Sequence, residues 1–125
     1  MVLLSVIPAL PVHDLTRALR FYEHELGFAL RHIGDDFAIV KRDGVEIHLW
    51  MAWTSRQHED RPVPVGSATC KIHVSGLERL YAALRTRHVV HPEGHLARRE
   101  GNTAEFTILD IDGNALQFFE VQSAP

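Results

Sequence analysis

The chain has 125 residues, is 46% hydrophobic and 23% charged, and carries a formal net charge of −3. This is the make-up of one folded domain with a packed core, not of a disordered chain, and not of a strong phosphate-backbone binder, which concentrates positive charge. A single cysteine, Cys70, excludes an internal disulfide framework and a cysteine-rich zinc site.

In chain order, Leu4 to Val12 reads as a strand and Asp14 as the N-cap of a helix. Leu15, Ala18, Leu19 and Tyr22 give that helix an i, i+3, i+4, i+7 stripe, and Gly27 within Leu26-Gly27-Phe28 breaks it. Strands are predicted near Phe28–Ile33, over Phe37–Arg42 and from Val45 to Trp50, the last two joined by a tight Asp43-Gly44 turn. Residues 54–67 hold Pro62, Pro64 and Gly66 among charges and read as a linker. Beyond it, Cys70 to Val74 alternates as a strand, and Ser75 with Glu78 has capping-box spacing. Leu77, Leu80, Tyr81 and Leu84 form a second helical stripe. Strands are then expected near Val89–Val90, Ala104–Leu109 and Ala115–Val121, the last pair meeting across Asp112-Gly113.

The two halves also match each other. Asp36 to Trp50 lies on Glu105 to Phe119, with acid, Phe, Ile, Asp and Gly in register, and Val12-His13-Asp14-Leu15 lies on Val74-Ser75-Gly76-Leu77. Each half therefore reads as β-α-β-β-β, with module one about 1–53 and module two about 68–125 of a single domain.

A βαβββ unit used twice resembles the glyoxalase/bleomycin resistance/dioxygenase superfamily, the vicinal oxygen chelate proteins. Leu10-x-Val12-x-Asp14-Leu15 with Arg20-Phe21-Tyr22 and Leu26-Gly27-Phe28 is similar to the family's first strand and helix. Asp110-x-Asp112-Gly113-Asn114 is similar to its closing hairpin. Pro8, Asp35-Asp36-Phe37-Ala38, Val45–Trp50, Cys70-Lys71-Ile72-His73-Val74 and Val89-Val90-His91-Pro92 place the resemblance nearest the bleomycin resistance branch. It implies an α+β fold of two curled mixed sheets with helices outside, and a homodimer with clefts built from both chains.

Enzymes of that superfamily hold a divalent metal at four positions, and the metal acts as a Lewis acid on vicinal substrate oxygens. Here those positions carry Ile7, Thr69, His48 and Gln117. A hydrocarbon, a hydroxyl, one imidazole and one amide do not make the three good ligands that zinc or iron sites need. The expectation is therefore no cofactor and no catalysis, with a metal-dependent lyase, isomerase or dioxygenase as the alternative.

His48 shares one face of an alternating strand with Glu46 and Trp50, opposite Val45, Ile47 and Leu49. Gln117 takes the equivalent place in the repeat. The resemblance puts Phe37, Trp50, Trp53 and His32 at or beside cleft positions, and Asn102 stands where the drug binders have a stacking tryptophan, before Thr103-Ala104-Glu105-Phe106. Arg31 stands where an acid would help a cationic ligand. The expected function is sequestration of a small aromatic or bleomycin-type molecule by a homodimer, at a site drawing on His32, Phe37, His48, Trp50, Trp53, Asn102 and Gln117. Cys70 reads as a buried, inert thiol. No apolar run is long enough to span a membrane, and the apolar start, Met1 to Pro11, lacks the basic residues and cleavage site of a secretion signal. A cytoplasmic protein with no membrane or nucleic-acid partner is expected.

Overall fold

The computed structural model describes residues 1–52 and 65–122, which form two compact units, Met1–Val65 and Gly66–Pro125. Trp53 and most of the expected linker lie outside the described residues.

The first unit runs β1 (Ala9–Val12), α1 (Leu15–Arg20), β2 (Ala29–Ile33), β3 (Phe37–Arg42) and β4 (Val45–Met51). Asp14 caps α1 as expected, its carboxylate accepting from the Arg17 N–H at 3.2 Å. The helix winds on through a wider π-type turn, Phe21–Glu25. Gly27 then ends it at φ +73°, with the Phe28 N–H donating to the Tyr22 carbonyl at 2.9 Å and the Arg42 guanidinium donating to the Leu26 carbonyl at 2.7 Å. The strands form one mixed sheet in the order β1-β4-β3-β2, with β1 parallel to β4. The helix stripe Leu15, Ala18, Leu19 and Tyr22 buries against Leu10, Val12, Ala38, Val40, Ile47 and Leu49, so one sheet face is the core of this unit.

The second unit repeats the plan with β5 (Thr69–His73), α2 (Leu77–Thr86), β6 (Ala97–Arg99), β7 (Thr103–Leu109) and β8 (Ala115–Val121), in the order β5-β8-β7-β6. Its core packs Leu77 and Leu84 with Ile72, Ala104, Phe106, Ile108, Leu116 and Phe118. The closing hairpin is fixed by Asp110, which is buried. Its carboxylate accepts from the backbone N–H groups of Asp112 and Asn114, each at 2.9 Å, and from the Asn114 side-chain amide at 3.0 Å.

Three sequence expectations are corrected. The first strand starts at Ala9 rather than Leu4: Pro8 has no N–H to give the ladder, though its carbonyl still accepts from the His48 N–H at 3.0 Å, and the preceding Met1, Val2, Leu3, Leu4, Val6 and Ile7 are exposed. Val90 makes one isolated bridge to Ile108, and the edge strand is Ala97–Arg99 instead, because Pro92 and the Gly94 turn interrupt pairing before it can extend. The capping box at Ser75 and Glu78 does not form. Gly76 at φ +86° is the N-cap, and the free N–H groups of Gly76 and Leu77 are taken by the Glu120 carboxylate from β8, at 3.0 and 3.1 Å. These two bonds hold the Glu120 carboxyl below the usual range.

Candidate functional site

In the first unit, the sheet face turned away from α1 carries the chemistry. Alternation along β3 and β4 leaves Phe37, Ile39, Glu46, His48 and Trp50 half-buried, while Ala38, Val40, Ile47 and Leu49 between them are fully buried. Register sets their neighbours: Phe37 pairs with Trp50, Ile39 with His48, and Lys41 with Glu46. The rings follow. His32 lies 5.2 Å from Phe37, centroid to centroid, and Phe37 meets His48 edge-on at 5.9 Å. His48 Nε2 is 2.8 Å from Glu46 Oε2, in the same strand two residues away. A bulge between Leu30 and His32 sets Arg31 outside the regular pairing.

Four of the residues singled out in the sequence, His32, Phe37, His48 and Trp50, thus sit on adjacent strands of one sheet. Glu46 joins them. Its side chain was legible as sharing the face, but not as the partner of His48. A planar ligand has aromatic surface to lie on here, polar nitrogen at either end, and one carboxylate.

The second unit has its own outward face. Gln117 occupies the middle of β8, between Lys71 on β5 and Thr107 on β7. Two residues on, Phe119 is stacked by His73 at 4.8 Å with ring planes 6° apart, and Lys71 Nζ lies 5.4 Å from its centroid. Glu105, opposite Phe119, holds the Arg99 guanidinium at 2.8 Å. Sequence reasoning missed Lys71, His73 and Phe119. The signal was present in the alternation of β5 and β8, which puts all three on the face of Gln117. Asn102 is placed apart from Gln117. It is an exposed residue at φ +62° in the β6–β7 turn, and its carbonyl accepts from the Gln122 N–H at 2.6 Å. Five residue steps along β7 lead from it to Thr107, the register partner of Gln117, a run of roughly 17 Å along an extended strand.

The residues at the family's metal positions do not suit a metal. Ile7 has no donor atom, Thr69 offers a hydroxyl at the exposed start of β5, and His48 Nε2 is engaged by Glu46. Among the described residues no group of three or more His, Cys, Asp or Glu is arranged to hold one. Cys70 is half-buried, and burial, with the Asp110 carboxylate second, pushes its thiol up to about 11, so little of it is the reactive thiolate at neutral pH.

Comparison with known proteins follows the same lines. The family model of the Glyoxalase/Bleomycin resistance protein/Dioxygenase superfamily matches residues 5–118. A bleomycin resistance protein of Geobacillus stearothermophilus is 36% identical, with the match covering 94% of this chain and 97% of that one, and one of Staphylococcus aureus matches with the same figures. The fold is that of a solved bleomycin-binding protein from Streptomyces verticillus, complexed with copper(II)-bleomycin. That structure matches at a TM-score of 0.75 and 20% identity, over 100% of this chain and 99% of the other.

Proposed function

We propose, for a chain that belongs to the glyoxalase/bleomycin resistance protein/dioxygenase superfamily, a non-catalytic role: it binds a bleomycin-type molecule and holds it without altering it. The observation that carries this is the 36% identity to bleomycin resistance proteins over nearly the whole length of both chains. The half-exposed aromatic face of the first unit supports it, with Phe37 and Trp50 as stacking surface, His32 and His48 as polar ends, and Glu46 as the acid for a cationic tail. Gln117, Asn102 and Trp53 are proposed as further ligand-contacting residues. The donor set at Ile7, Thr69, His48 and Gln117 supports binding over metal-assisted turnover.

The working form is proposed to be a homodimer in the cytoplasm, with no membrane or nucleic-acid partner. Among the described residues no helix is long and apolar enough to cross a membrane. Six exposed hydrophobic residues from Met1 to Ile7 are more apolar surface than a lone extended segment keeps in water, and a second copy is the cover proposed for them.

A thermal-shift titration with a bleomycin-type glycopeptide tests the binding role. A ligand that binds only the folded state stabilises it by about 2.7 kcal/mol at one hundred times its Kd. A rising Tm with increasing glycopeptide is expected, and an unmoved Tm at high micromolar ligand would overturn the proposal.

A further inference from the structure

Away from both sheet faces just described, the second unit carries a hollow of about 220 Å³ lined by Tyr81, Arg85, His88, Val90 and His95. Three local features build it. Tyr81 and Arg85 stand one turn apart on α2 and so share a helix face. His88 follows the helix end at φ +60°, the left-handed position that glycine normally takes there. Histidine is one of the few non-glycine residues that adopt this backbone readily, and here its ring joins Tyr81 and Arg85 in lining the hollow. His95 comes in from the other side by a close backbone approach. The His91 N–H donates to the Thr107 carbonyl at 3.0 Å, and the Thr107 N–H to the Gly94 carbonyl at 2.9 Å. A Cβ on Gly94 would stand 2.6 Å from the Thr107 carbonyl oxygen, so glycine is what lets this turn lie against β7. The outcome is that His95 Nδ1 lies 3.5 Å from the Tyr81 hydroxyl.

The chemistry of the lining is one-sided. Among the described residues it holds a permanently charged guanidinium, two imidazoles and a phenol, and no carboxylate. Val90 and the Tyr81 ring, set edge-on against Phe106 at 5.1 Å, supply an apolar wall. We propose that this hollow binds a small oxyanion, the phosphate or carboxylate group of a small molecule. Arg85 supplies the fixed charge, and Tyr81, His88 and His95 supply directional hydrogen bonds. The site is separate from the drug-binding reading and stands or falls without it.

The test is an NMR titration of the full-length protein with inorganic phosphate and, separately, with succinate, at constant ionic strength set by chloride. The His88 and His95 ring signals are followed, and Tm is measured alongside. Saturable shifts with phosphate or succinate and none with chloride are expected, and the anion that saturates first identifies the group. Losing one charge-assisted contact costs roughly tenfold or more in affinity, so Arg85→Gln should weaken binding by that much. His88→Gly should weaken binding several-fold while Tm holds or rises, because glycine relieves the left-handed backbone. The proposal is overturned by shifts that chloride reproduces, by no saturation with either oxyanion, or by undiminished binding in Arg85→Gln. A lower Tm with unchanged binding in His88→Gly also overturns it.

Discussion

Replacing Phe37 with alanine separates a binding surface from a core. The ring is half-buried, on the sheet face opposite α1, and its neighbours are the His32 and His48 rings at 5.2 and 5.9 Å. A fully buried phenylalanine costs about 3–5 kcal/mol when truncated, and Phe106, 1% exposed, is the internal standard for that loss. Burial energy scales with the area removed from water, so Phe37→Ala should cost only about 1–2 kcal/mol of stability. Its effect on ligand binding should be the larger share. Losing an aromatic stacking partner removes roughly 0.5–1.5 kcal/mol beyond the lost area, so affinity should fall about tenfold once that area is included. Urea unfolding of Phe37→Ala and Phe106→Ala, beside tryptophan-quenching titrations with a bleomycin-type glycopeptide, checks both numbers. If Phe37→Ala is as destabilising as Phe106→Ala and binds as well as the parent, Phe37 is core and the stacking argument fails.

Glu120→Gln should weaken the cap on α2. The folded carboxyl titrates below its ordinary value of 4.5, so its contribution is fully present above that value and is lost as pH falls through the lower folded one. The Tm gap between parent and variant should therefore be open at pH 7 and close on strong acidification; a gap that persists unchanged at low pH would refute the assignment. Cys70, with its thiol pushed from 9.0 to about 11, should react with a thiolate-specific reagent at pH 8 roughly one hundred times more slowly than a free cysteine, and labelling at the free rate would contradict its burial. Gly94→Ala forces a Cβ to within 2.6 Å of the Thr107 carbonyl oxygen and should cost about 1–3 kcal/mol in denaturant unfolding, whereas an unchanged midpoint would mean that the turn is not pinned to β7. Light scattering should give about 28 kDa, twice the 14.2 kDa chain, and a monomer at micromolar concentration would leave Met1 to Ile7 without the cover proposed for them.

Most of the fold was legible because it rests on local chemistry. The Asp14 cap, the Gly27 stop, the Asp43-Gly44 and Asp112-Gly113 turns and the two apolar stripes each need only a few neighbouring residues. The repeat then fixed the order of elements twice over. What escaped the sequence depends on partners distant along the chain. Glu120 reaches back 44 residues to cap α2, and no local pattern announces that bond. The edge strand Ala97–Arg99 is short and carries two arginines, so it lacks an alternating signal, while Val89–Val90 has the composition of a strand but no room to pair before Pro92. The same division holds at the candidate site. Alternation located His48, Glu46 and Trp50 on one face, but the His48–Glu46 bond and the stacking of His73 on Phe119 depend on rotamers and on strands brought together by topology.

Binding without chemical change is the claim on which the functional account turns. The direct measurement is a calorimetric titration of the protein with a bleomycin-type glycopeptide, followed by denaturation of the complex and mass spectrometry of the released drug. The account predicts saturable heat, quenching of tryptophan emission that Trp50→Phe largely removes, and a drug recovered at its original mass after prolonged incubation. Absence of heat and quenching at high micromolar drug, or recovery of a cleaved or modified drug, would contradict it.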